Sequence, residues 1–222
     1  MIKYLYNSSR KAITEVGFGK FICFEGIDGS GKSTQIKILA KRLSSMNILC
    51  YETKEPTDSP VGSLIRQILT GRIVMDNRAL SGLFSADRVD HLTNSVNGVC
   101  SKINSGVSVL MDRYYFSSYA YHGVDMSMDR VIEENIISAE ILRPTVTIFL
   151  DIPVDEALKR IEKNRFHKEI FEEKERLRQV RDNYFKAFDK LRDVENVVVI
   201  DADADIETIG ERIWEIVSKL YI

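Results

Sequence analysis

The sequence predicts an α/β fold: a five-stranded parallel sheet flanked by helices on both faces. Three observations carry that prediction. Apolar, β-rich runs alternate with segments of helical periodicity, the pattern of parallel strands joined by crossover helices. A glycine-rich stretch, Gly26-Ile27-Asp28-Gly29-Ser30-Gly31-Lys32-Ser33, stands at the junction of the first such strand and the first such helix. The chain of 222 residues is long enough for one sizeable core, and a second full domain would be cramped.

Residues 1–19 precede the first strand. They contain Lys3, Arg10 and Lys11 but no apolar h-region, so a secretory signal is not expected, and the segment reads as a loosely ordered extension. The first strand is placed at 20–25, through Phe21-Ile22-Cys23-Phe24-Glu25, and the helix after it carries Ile36, Leu39, Ala40 and Leu43 at helical spacing. Between them, two glycines with four residues separating them are followed by Lys and Ser. Glycines allow the tight turn that presents successive N–H groups to phosphate oxygens, and the helix starting near Lys32 adds its positive end. Lys32 is expected to reach the β- and γ-phosphates and the Ser33 hydroxyl to bind Mg²⁺. Residues 26–34, ending in Thr34, therefore read as a triphosphate site of the kind kinases use.

A second strand at 48–53 leads into Thr53-Lys54-Glu55-Pro56-Thr57-Asp58-Ser59-Pro60, a polar, proline-punctuated loop that is either a plain connection or a binding element. A helix is placed over 77–103, with Leu80, Leu83, Leu92, Val96, Val99 and Ile103 as its buried stripe. Phe84 and Arg88, four apart, share one face of it. They suit a flat, carbonyl-bearing ligand such as a nucleobase, or else a core ring beside a paired guanidinium. The third strand, at 107–111, ends in Asp112-Arg113. An acid there is placed to organise Mg²⁺, directly or through water, and Arg113 to fork onto a second phosphate. The aromatic run Tyr114–Gly123 is packing or the wall of a base-and-sugar pocket.

The fourth strand is placed at 145–150. Pro153, Asp155 and Glu156 suit the start of a helix that meets the charged stretch 162–169. Arg160, at the end of that helix, and Arg165, within the charged stretch, stand out, since phosphoryl transfer needs mobile cations over the transferring group. A fifth strand at 196–200, possible N-caps among Asp201, Asp203 and Asp205, and a closing stripe of Ile206, Ile209, Ile213, Ile216 and Leu220 complete the chain.

Composition narrows the partners. A net charge of −2 and a pI near 6.0 argue against a nucleic-acid-binding surface. Cys23, Cys50 and Cys100 have neither disulfide nor metal-ligand spacing, which suits a reducing cytoplasmic setting. No apolar run approaches the roughly 18 residues of a membrane span.

Phe24–Gln35, Lys54-Glu55-Pro56, Leu83-Phe84-Ser85-Ala86-Asp87-Arg88 and Asp112-Arg113-Tyr114 together resemble the thymidylate kinase family, collinearly from about Lys20 to the C-terminus. The resemblance implies a P-loop nucleoside monophosphate kinase fold, a single domain over 20–222 with a short lid within about 160–172, ATP and dTMP as substrates, Mg²⁺, and a homodimer. It implies that Asp28 approaches the deoxyribose 3′-hydroxyl and the metal region, that Arg113 holds the dTMP phosphate, and that Phe84 stacks on thymine while Arg88 bonds a base carbonyl. Ser118 falls at a base-contacting position, and Tyr121 where a ring excludes a ribose 2′-hydroxyl. Lys54 stands where bacterial members usually have Arg, and His122 where many have Gln. The family's phosphate loop, when it lacks its own Arg, goes with catalytic lid arginines, which points to Arg160 and Arg165. Three other readings stay open: a kinase for another (deoxy)nucleoside monophosphate, a nucleoside kinase using Glu52 or Glu55 as base, and an ATP-binding regulatory protein. A guanine-reading Asn-Lys-x-Asp motif is missing, which argues against a switch GTPase.

Overall fold

The computed structural model describes residues 3–5, 19–161 and 167–221. Among these residues there is one six-stranded sheet, β1 (Lys3–Leu5), β2 (Phe21–Glu25), β3 (Cys50–Lys54), β4 (Ser108–Asp112), β5 (Val146–Asp151) and β6 (Val197–Asp201), in the order β1-β6-β5-β2-β4-β3. The five strands β2 to β6 run parallel and lie within about two residues of their expected positions. β2, β4, β5 and β6 are almost continuously apolar because they are covered on both faces, whereas β3, at the sheet edge, is half exposed. β2 is central, pairing Phe24 with Asp112 of β4 on one side and with Ile148 of β5 on the other.

The sixth strand departs from expectation. Lys3–Leu5, inside the segment read as a loose extension, pairs antiparallel with Val197–Val199. Three residues are too few for a period to register in sequence, yet they satisfy backbone groups that β6 would otherwise leave open at the sheet edge.

Helices flank the sheet. Helix α1 (Lys32–Ser45) packs with the closing helix Ile206–Val217, and Gln35 Nε2 donates to Ile206 O at 2.9 Å. The closing helix is capped as expected, Asp205 accepting from the Thr208 N–H at 2.7 Å, although Ile206 is half exposed and stands outside the stripe. On another side of the sheet Tyr115–His122 packs with the long helix His167–Leu191, around Phe116, Phe149, Tyr184 and Phe188.

The helix expected over 77–103 is two. One runs Asn77–Thr93 and the second Val99–Asn104. Asn94 ends the first, its side chain accepting from the Val96 N–H at 3.0 Å, and the Gly98 N–H donates to Asn94 O at 2.9 Å. A Cβ at Gly98 would lie 2.3 Å from that same oxygen, so the turn requires glycine. Val96, expected in the stripe, is 86 % exposed at the break.

Candidate active site

The strand-to-helix turn Gly26–Ser33 lies at the carboxyl end of the central strand, where open α/β sheets place ligands. Gly29 has φ +79°, and a Cβ there would meet Ala157 O at 2.5 Å, so the turn rests directly on the helix Val154–Ile161. Lys32 is buried and folds back over the turn, its Nζ donating to Gly26 O at 2.9 Å and Ile27 O at 3.2 Å. Burial first, and then the neighbouring Arg113, pull its pKa down to about 8. It stays charged at pH 7, held by two carbonyls where phosphate oxygens could replace them. Ser30 Oγ is buried without a hydrogen-bond partner.

The end of β4 faces this turn. Ser33 Oγ donates to Asp112 Oδ2 at 2.7 Å, while Asp112 Oδ1 is buried without a partner. Two hard oxygens, one of them unsatisfied, fit Mg²⁺, which takes most of its ligands from water and phosphate and needs no larger protein cluster. Lys54 is exposed at the end of β3, its Cα paired across the ladder with Asp112.

Arg113 follows at φ +70°, a rare backbone state for a residue other than glycine. Its Nη2 donates to Asp28 Oδ1 at 2.7 Å and Tyr121 Oη at 3.2 Å; its Nη1 donates to Ser117 Oγ at 2.9 Å. Tyr121 Oη in turn donates to Asp28 Oδ2 at 3.0 Å. Burial would raise the Asp28 carboxyl, but Arg113, Lys32 and Tyr121 outweigh it and hold it below the usual range. Asp28 of the phosphate turn, Arg113, Ser117 and Tyr121 therefore meet in one cluster.

Arg88 is almost wholly buried. Its Nε donates to Glu55 Oε2 at 2.7 Å and its Nη1 to Asn135 Oδ1. Glu55 Oε1 also lies 3.2 Å from His91 Nδ1, and His91 Nε2 lies 2.8 Å from Thr53 Oγ1. The guanidinium is thus clamped at Nε and Nη1, leaving Nη2 as the corner that a ligand could use. Asp87, one residue back, accepts from Thr57 N at 2.8 Å and Ser59 Oγ at 2.8 Å, which ties the loop after β3 to the same helix.

Phe84 and His122 approach edge to face at 5.3 Å between ring centres, and Ser118 is buried on the same short helix as His122. Burial, and then Arg88, push the His122 imidazole down to about 4, so it is neutral at pH 7. The unfolded chain takes up this proton below its ordinary value of 6.5, the folded chain only near about 4. Stability is therefore complete above pH 6.5 and falls as the pH drops toward 4, by roughly 3 kcal/mol from this group. His122→Gln should flatten that fall, measured by urea unfolding at neutral pH and at the acid end of the window. An unchanged fall would contradict the assignment.

Arg160 is exposed beside the phosphate turn. Its Nη2 donates to Ala202 O at 3.2 Å, and its Nη1 lies 4.0 Å from the position of a Cβ at Gly31. Arg165 lies outside the described residues. The residues that sequence reasoning passed over are supporting ones. Glu25, Asn135, His91 and Tyr184 are all buried polar partners of the site, and Arg181 forks onto Asp151 at 2.6 and 2.9 Å at the end of β5. Glu25 alone left a signal, as a carboxylate ending an otherwise apolar strand.

The chain is similar to known proteins over most of its length. The family model described as thymidylate kinase matches residues 24–213. A relative from Methanocaldococcus jannaschii, described as "Probable thymidylate kinase", is 39 % identical over 82 % of this chain and 86 % of its own. "Thymidylate kinase" of Afipia carboxidovorans is 38 % identical over 90 % of this chain and 89 % of its own. That of Rhodopseudomonas palustris is 34 % identical over 94 % and 92 %. With a family match over residues 24–213 and relatives 34–39 % identical over most of both chains, the chain belongs to the thymidylate kinase family.

Proposed function

We propose that the chain transfers the γ-phosphoryl group of ATP to dTMP, giving dTDP and ADP. The observation that best supports this reading is the Arg113–Asp28 contact of 2.7 Å, a guanidinium against the glycine-rich turn that suits a second phosphate. A nucleoside monophosphate with a second pKa of about 6 already carries an anionic attacking oxygen at pH 7, so no general base is required. The chemistry reduces to holding two phosphates in line and neutralising charge as the phosphoryl group moves. Lys32 binds the β- and γ-phosphates, Arg113 the acceptor phosphate, and Arg160, with Arg165 as a further candidate, the transferring group. Asp112 and Ser33 would hold Mg²⁺, which when bound neutralises phosphate charge. Phe84 and the free corner of Arg88 take the base, with Ser118 and His122 at its edge. Tyr121, tied to Asp28, crowds the sugar, and Lys54 supplies a point charge near the acceptor phosphate.

The nucleoside kinase alternative fares worse on one observation. Glu55 is buried and committed to Arg88 and His91, so it is not free to take a proton from a 5′-hydroxyl. A homodimer is proposed through the outer face of helix Asn77–Thr93, where Gly82, Ala86 and Val89 line an open groove with the exposed Ile137. Among the described residues no helix is long and apolar enough to cross a membrane. Three free cysteines suit the cytoplasmic location proposed here.

An ADP-release assay across dTMP, dUMP, dGMP, UMP and CMP tests the acceptor. dTMP is expected to be the fastest substrate; a clear preference for a purine or a ribonucleotide would refute the base assignment.

A further inference from the structure

β2 ends in a residue that physical chemistry disfavours there. Glu25 follows four apolar neighbours in the central strand and is completely buried. Burial raises its pKa, and a buried carboxylate persists only where donors replace its lost water. Four donors do so. Oε1 accepts from the N–H groups of Tyr114 at 2.8 Å and Ser117 at 3.1 Å, and Oε2 from Ser117 Oγ at 2.6 Å and Tyr184 Oη at 2.8 Å.

These donors surround Arg113. The Arg113 N–H donates to Phe24 O at 2.9 Å and the next N–H, of Tyr114, to the Glu25 side chain. Arg113 is thereby pinned between two consecutive bonds to consecutive residues of β2, and such clamping is what a strained φ of +70° requires to persist. The Tyr114 and Ser117 N–H groups bound by Glu25 belong to the start of helix Tyr115–His122, whose N-cap residue supplies no side-chain cap of its own. The hydroxyls extend the effect to the guanidinium. Ser117 Oγ and Tyr184 Oη each have one proton and lie 2.8 Å from each other as well as 2.6 and 2.8 Å from Glu25 Oε2; the anionic carboxylate is the stronger acceptor and draws both protons. Their lone pairs are then free to face Arg113 Nη1, which lies 2.9 Å from Ser117 Oγ and 3.5 Å from Tyr184 Oη.

We propose that Glu25 is a positioning residue for substrate binding: it fixes both the backbone and the guanidinium of Arg113, and so aims that cation at the acceptor phosphate. This rests on reading Arg113 as the group that binds that phosphate. Glu25→Gln keeps the shape but offers an amide donor. The amide turns one hydroxyl proton toward Arg113 and spoils its seat.

Titration calorimetry of dTMP and of a non-hydrolysable ATP analogue tests this, with wild type, Glu25→Gln, Ser117→Ala, Tyr184→Phe, Arg113→Ala and the Glu25→Gln/Arg113→Ala double variant. Glu25→Gln is expected to weaken dTMP about tenfold, the scale of one charge-assisted hydrogen bond, and the ATP analogue less than about twofold. In the Arg113→Ala background it should change dTMP binding no further, since the two substitutions act through one group. Should Glu25→Gln fail to fold, Ser117→Ala and Tyr184→Phe, which remove only hydroxyls, are each expected to weaken dTMP about threefold, a typical cost of one neutral hydrogen bond. Unchanged dTMP affinity in every folded variant that retains Arg113, or an equal Glu25→Gln effect with and without Arg113, would overturn the proposal. Arg113→Ala with dTMP affinity intact would overturn instead the reading beneath it.

Discussion

Lys32→Ala is expected to lower turnover by about two to three orders of magnitude, the usual scale for removing one preorganised charge from a transition state. The ammonium is buried and rests on the carbonyls of Gly26 and Ile27, 2.9 and 3.2 Å away, so it is held before any substrate arrives and its reorganisation cost is small. The same burial makes it an expensive group for the empty fold, as its lowered pKa indicates. Removing it should therefore leave thermal unfolding close to that of wild type. Steady-state turnover together with a circular-dichroism melt separates the two effects. Full activity in a folded Lys32→Ala protein would remove the triphosphate reading of Gly26–Ser33.

The second large effect is expected at Arg113. Its guanidinium joins Asp28 of the phosphate turn, Tyr121 of the pocket wall and Ser117 of the helix floor in one partly buried cluster. Truncating one partner of a buried, hydrogen-bonded charge pair costs about 2–5 kcal/mol, so Arg113→Ala should weaken dTMP by about a hundredfold or more. ATP should be affected far less, because the triphosphate turn keeps Lys32 and its backbone donors. Arg113→Lys should restore little, since a point charge cannot reach Asp28 and the acceptor phosphate as a planar fork does. Binding of dTMP and ATP measured separately decides the matter. The reverse pattern, with ATP lost and dTMP retained, would mean that the two sites are exchanged.

The parallel core was legible because its signals are local. Five apolar runs, a Gly-rich turn and Asp112-Arg113 at a strand end each span a few residues, and all fall where the structure has them. The helix over 77–103 was misjudged because periodicity bridges a short gap. Asn94 and Gly98 break the chain through side-chain capping and a close backbone approach, neither of which interrupts the count of apolar residues. Lys3–Leu5 was too short to show a period at all.

In the site, residues that would touch substrate were visible as motifs, whereas the residues that hold them were not. Arg88 illustrates the difference. Its spacing from Phe84 put the two on one helix face, but its partners Glu55 and Asn135 come from other elements that only the folded chain assembles. Arg113 is similar: the sequence marks it as a cation after a strand, and nothing local shows that a buried Glu25 and two hydroxyls orient it.

The central claim is transfer of phosphate between two nucleotides, and the most direct measurement follows the phosphorus atom. Incubating the protein with γ-labelled ATP, dTMP and Mg²⁺ should move the label into dTDP, with ADP formed in equal amount. Label recovered only as inorganic phosphate, or unlabelled dTMP alongside intact ATP after prolonged incubation, would contradict it.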